Sequence, residues 1–235
     1  MIRRDYIVRM AEEMAQVILR LRQQMGAHEH LEARATLDAA TAELTRLGPA
    51  AAARLSVTEL LALLGEGEPT HLLRLKALAL VSLLDQAAQL SGTAGRDDEA
   101  RVCGLKALEL LLELQLQDAD FELMEFVPRV DELVSRLSDK ALPPQIEAAL
   151  WRHYERVGAF AQAESVLFSL LESHPDNSAL YAEAGGFYRR LLRRSDVALE
   201  QGDLPRAEVR AGLSELEALE SNWGRRREAA SRAAD

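Results

Sequence analysis

The stretch PQIEAALWRHYERVGAFAQAESVLFSLLESHP, residues 144–175, decides how the chain is read. Leu150 and Tyr154 stand about one helical turn apart, so they share a face. Gly158 permits a tight turn, because it lacks the Cβ that opposes left-handed backbone. Phe160, Ala163 and Leu167 then set up a second helical stripe. Ala163 is small, which lets the second helix approach the first closely, and Tyr154 fills the space beside it. Pro175 stops the second helix. One helix, a tight turn and an antiparallel partner make a helical hairpin.

The spacing recurs. Leu150 and Ala184, and likewise Tyr154 and Tyr188, are separated by 34 residues. Leu150, Tyr154, Gly158, Phe160, Ala163, Leu167 and Pro175 sit at the offsets of a tetratricopeptide unit, which this segment resembles. A second unit opens with Tyr181, Ala184, Gly185 and Tyr188. It lacks the turn glycine at the matching offset. Its apolar stripe runs on through Phe187, Leu191, Ser195 and Ala198 to a turn at Gly202-Asp203-Leu204, followed by Ala207. A first helix about ten residues longer than usual is therefore expected there. Trp151 and Glu147 depart from the pattern, which has a small residue and an aromatic at those positions.

Working toward the N-terminus, other helices follow from period and punctuation. Ile2, Tyr6, Ile7, Met10, Met14, Val17, Ile18, Leu21 and Met25 form one stripe, closed by Gly26. A second helix is expected over 28–47, ended by Gly48-Pro49. Ser56-Val57-Thr58-Glu59 is a capping box. Gly65–Pro69 reads as a linker, Leu72–Leu90 as a helix and Ser91–Asp97 as a loop. Helices at about 97–116 and 121–138 follow, with Pro128 kinking or splitting the second and Pro143-Pro144 closing the segment. No sustained period-two alternation marks a strand.

The expected fold is all-α: an α-α superhelix of stacked antiparallel hairpins, tetratricopeptide-like, with about nine helices. Its parts are an N-terminal hairpin with a short capping helix (1–65), divergent hairpins (69–142), tetratricopeptide-like repeats (144–222) and a flexible basic tail (223–235), all within one continuous domain. The composition agrees, because aromatics are 5% of a chain whose hydrophobic content is 48%, so Leu, Ala, Val and Ile must fill the core. The opening Met1-Ile2-x-Arg4-Asp5-Tyr6-Ile7 also resembles the start of an uncharacterised bacterial family of helical proteins, a domain-of-unknown-function family.

A formal charge of −10 repels phosphates and argues against a nucleic-acid partner. Charges interrupt the N-terminal residues before an apolar run of signal-peptide length forms, and no apolar run is long enough to cross a bilayer. The single Cys103 fits a reducing, cytoplasmic setting. No catalytic set, cofactor motif or metal set emerges. His28 and His30 point apart on a helix, and Cys103 reads as a small buried hydrophobe.

The tetratricopeptide resemblance implies a groove lined by the first helix of each hairpin. Carried over by offset, its positions are Gln145, Arg152 and Arg156 in one unit and Arg189 and Arg190 in the next, with Arg193 and Arg194 one turn later. Ala148, Ala182 and Gly186 leave room above its floor. Guanidiniums on adjacent helices suit a carboxylate-bearing peptide or chain end. The reading is a non-enzymatic scaffold binding a protein or an acidic peptide segment. Two alternatives stand beside it. One is a homo-oligomer assembled through the N-terminal helix, with Met10, Met14 and Met25 as an exposed seam. The other is a small-molecule or enzymatic pocket.

Overall fold

The hairpin at 144–175 forms as its residues dictate. Helix α8 spans Pro144–Val157, Gly158 adopts a left-handed φ of 83° as its C-cap, and α9 spans Phe160–Ser173. Leu150, Tyr154, Phe160, Ala163 and Leu167 are all buried between or beneath these helices. Pro144 starts α8 instead of only closing the preceding segment; at the first helical position its missing N–H costs nothing.

The computed structural model describes the backbone of residues 2–66, 70–117 and 124–234, and side chains of those residues outside 2–7, 70–71 and 222–234. Every regular element among the described residues is helical, and there are twelve rather than about nine. The chain divides into two compact units, Met1–Leu142 and Pro143–Asp235.

The first unit holds α1 (Ile2–Gly26), α2 (His30–Thr45), α3 (Pro49–Ala52), α4 (Val57–Gly65), α5 (Thr70–Thr93), α6 (Asp97–Gln117) and α7 (Val130–Arg136). Every residue from Ala77 to Ala87 is buried, so α5 is the axis of this unit, and α1, α2, α4 and α6 pack around it. The capping box forms as expected: Ser56 Oγ accepts from the Glu59 N–H, and Glu59 accepts from the Ser56 N–H at 2.8 Å. Hydrogen bonds to its carboxylate from the Ser56 hydroxyl, at 2.7 Å, and from the Ser56 N–H hold Glu59 below its ordinary range.

Several boundaries differ from the sequence expectation. The left-handed cap of α2 is Arg46 rather than Gly48; Gly48 and Pro49 instead open the short α3. The expected loop at Ser91 is still helix as far as Thr93, and the turn is left to Gly95, with φ 68°. Of the helix expected over 121–138, residues 121–123 lie outside the described residues, and residues 124–129 are not helical. Pro128 therefore precedes α7 instead of kinking it, and Ser82 Oγ donates to the Phe126 carbonyl, tying this irregular segment to α5. The linker expected at Gly65–Pro69 lies outside the described residues from position 67 onward. Met14 is buried and Met10 and Met25 half-buried, so the three do not form an exposed seam on α1; its buried stripe of Met14, Ile18 and Leu21 is covered within its own unit.

The second unit adds α10 (Ser178–Leu191), α11 (Asp196–Gln201) and α12 (Arg206–Ala234). The overlong helix expected after Leu180 is broken at Leu192–Ser195. Ser195 caps α11 by accepting from the Ala198 N–H, an alternative to continuing the helix that a serine offers and an apolar residue does not. Arg206 secures this break from below in sequence, donating to the carbonyls of Leu192 and Arg194. The second turn closes on the first: the Ala161 N–H donates to the Gly202 carbonyl at 3.0 Å, and a Cβ on Gly202 would come within 2.3 Å of the Gly158 carbonyl oxygen. Helix α12 continues through the segment expected as a flexible tail, as far as Ala234; that segment is rich in Ala and Arg, both good helix formers.

Candidate functional site

Three cross-helix contacts set α8 beside α10. The rings of Trp151 and Phe187 meet edge to face at 5.9 Å. Arg190 donates to Glu155 through Nε at 2.6 Å and Nη2 at 2.8 Å, a bidentate pair. Arg152 Nη2 donates to Glu183 at 3.3 Å. Between the helices runs an open groove of about 690 Å³, lined by Trp151, Ala182, Gly186 and the two Arg–Glu pairs. Gly186 contributes by what it lacks: a Cβ there would lie 3.2 Å from Arg190 Nη1.

The two pairs are unlike. Glu155 is largely buried and its bonds raise the Arg190 guanidinium further above its ordinary range. Arg152 and Glu183 are both more than half exposed and share one longer bond, so solvent and salt compete with it. Trp151 is buried, and its indole N–H has no acceptor among the described residues.

The structure brings together only part of the set expected from sequence. Arg152 and Arg190 line the groove, with Ala182 and Gly186; Gln145, Arg156, Arg189 and Arg193 do not, nor does Ala148. Arg189 lies one position round the helix from Arg190, and its Nη2 folds over Gly185, 2.8 Å from where a Cβ would stand. Arg193 falls beyond the end of α10, in the turn that the sequence reading took for continuing helix. Glu155 and Glu183, which the sequence reading did not place in the groove, are as much part of it as the arginines.

Helix α10 is held in position from behind. Tyr188 Oη donates to Glu164 on α9 at 2.7 Å, and a Cβ on Gly212 of α12 would intrude on both groups, at 2.5 and 2.6 Å. Burial pushes the Glu164 carboxyl up, against the Tyr188 bond that pulls it down. Burial and the Glu164 bond together raise the Tyr188 phenol well above its ordinary range, so it stays a donor.

The first unit contains a second polar cluster that sequence reasoning missed. Asp85, 3% exposed, accepts from Arg136 Nη1 at 2.6 Å and from Gln89 Nε2 at 2.9 Å. Burial raises its carboxyl, with Arg136 opposing. The available signal was a single aspartate inside the apolar run 72–90. Nothing in the sequence pairs it with Arg136, 51 positions away. Cys103 is buried, and burial with Glu99 nearby pushes its thiol up to about 11, so it stays protonated at neutral pH. Among the described residues no group of three or more His, Cys, Asp or Glu side chains could hold a metal ion, and no helix is long and apolar enough to cross a membrane.

The sequence pattern of a family of unknown function (DUF6483) matches residues 1–221, and the chain belongs to that family. No curated protein and no solved structure matches it.

Proposed function

We propose that the second unit is a peptide-binding module of tetratricopeptide-like build, and that the protein is a non-enzymatic interaction scaffold. The observation that carries this reading is the open groove between α8 and α10, with small residues and an aromatic along it and two arginines at its edges. The occupant is an extended, acidic segment of a partner protein. A peptide carboxylate takes Glu183's place on Arg152, where the existing pair is exposed and long. Arg190, fixed by Glu155, holds the wall against which the peptide lies. The unpaired indole N–H of Trp151 gives a peptide carbonyl a donor once a small displacement admits it.

The test is fluorescence-polarisation binding of an acidic peptide library to the full chain, with a charge-reversed library as control. Acidic peptides should bind with an affinity that falls as salt rises. Arg152→Glu should weaken them by roughly tenfold or more, the scale of one lost charge-assisted hydrogen bond, while leaving the circular dichroism spectrum unchanged. Equal retention of basic peptides, or wild-type affinity in the variant, would overturn the reading.

A further inference from the structure

The half-open cavity bordered by α5, α6, α7 and the turn after α7 lies wholly in the first unit and is independent of the groove. We propose that it binds a small organic carboxylate with a short apolar body. Its volume is about 450 Å³, within the roughly 300–1,000 Å³ of small-molecule sites. Ala88, Ala100, Gly104, Leu133 and Leu137 supply apolar wall, which suits a hydrocarbon body.

The polar lining selects the head group. Both oxygens of Asp85 are already engaged, one by Arg136 and the other by Gln89. Asp85 therefore fixes Arg136 at the cavity, and its charge is already matched by that guanidinium. Arg101 is the group left incomplete. Its Nη2 donates to the Ala141 carbonyl at 2.6 Å, but its Nη1 is buried with no hydrogen-bond acceptor. Asp139, which also lines the cavity, makes an ion pair with Nη1 at 3.5 Å from a side chain that is 67% exposed, without completing a hydrogen bond. A buried guanidinium N–H without an acceptor is costly, and a ligand carboxylate removes that cost. Lys140 lines the same cavity and adds positive charge. Asp97, the remaining acidic lining residue, is exposed at the start of α6.

The experiment is isothermal titration of the full chain with phenylacetate and hexanoate, each against its neutral amide, and with inorganic phosphate. The carboxylates should bind saturably at up to millimolar concentration, and the amides about tenfold more weakly or worse, as loss of a charge-assisted bond implies. Arg101→Gln should abolish the preference for carboxylate over amide. Ala100→Leu narrows the cavity from its apolar wall and should abolish binding of both, which keeps the proposal testable if Arg101→Gln fails to fold. Equal binding of acid and amide, phosphate binding in place of the carboxylates, unaltered binding in Ala100→Leu, or no saturable binding at all would overturn it. None of these outcomes bears on the groove, where peptide binding is measured separately.

Discussion

Helices α5 and α8 both combine apolar residues with scattered polar ones, yet they end in opposite circumstances. Helix α5 has neighbours on all sides, and no residue from Ala77 to Ala87 reaches solvent appreciably. Helix α8 buries Ile146, Leu150, Trp151, His153 and Tyr154 and leaves Gln145, Arg152 and Arg156 exposed. Coverage decides what a polar residue does. On the enclosed helix, Ser82 and Asp85 must find partners inside the protein, and they use them to bind the irregular segment at Phe126 and the short α7. On the half-covered helix, Arg152 keeps an exposed partner, Glu183, through a single longer bond.

The largest expected effect follows from full enclosure. Leu80 is completely buried at the middle of α5, so Leu80→Ala removes apolar contacts and leaves a cavity that surrounding helices can close only in part. The expected loss is about 2–5 kcal/mol, read from urea unfolding. Hydrogen exchange should rise in the first unit well before it rises at 144–175. A uniform rise over both units would show that the two compact units unfold as one and would erase the distinction between them.

That contrast was half legible in the sequence. The apolar run 72–90 identifies a helix, but periodicity alone does not say that neighbours will surround it. The amphipathic reading of 144–175 succeeds because both its stripe and its turn are local: Gly158 needs only its own backbone freedom. The reading fails at 192–195 for a different reason. The stripe through Leu191, Ser195 and Ala198 keeps helical spacing, and what breaks it is a local serine cap aided by Arg206, more than ten positions away. The pairing of arginines with Glu155 and Glu183 likewise depends on contacts across two helices. A sequence scan for like charge on one face sees the arginines and not what neutralises them.

A smaller effect is expected where the two turns of the second unit meet. Gly202→Ala places a Cβ against the Gly158 carbonyl and the Phe160 ring, at 2.3 and 2.4 Å. Backbone must move to admit it, because neither obstacle is the end of a flexible side chain. Overpacking of this kind costs about 1–3 kcal/mol. Amide protection should fall at Ala161 and through α9 while α5 stays protected. If α9 retains its protection, the contact between the turns is incidental to the hairpin.

The smallest effect is a pH dependence that separates the two units by mechanism. Asp85 and Glu164 both have carboxyls raised above their ordinary values of 3.8 and 4.5, chiefly by burial. A raised carboxyl pKa means the folded protein holds the proton more tightly than the unfolded chain does. The resulting stabilisation is complete below the unfolded value and is lost as pH rises through the folded one. Stability measured by urea midpoint should therefore decline from about pH 4 upward, and Asp85→Asn and Glu164→Gln should each flatten that decline. Salt distinguishes them. Glu164 is raised in part by Glu208 and Glu215, whose repulsion is screened by ions, whereas Asp85 is opposed by a contacting cation and raised by burial alone. Added salt should thus reduce the difference in slope between wild type and Glu164→Gln and leave the Asp85→Asn difference nearly unchanged. The reverse pattern would mean that Asp85, rather than Glu164, is the group that solvent ions reach, and the enclosed unit would have to be more open around α7 than its burial implies.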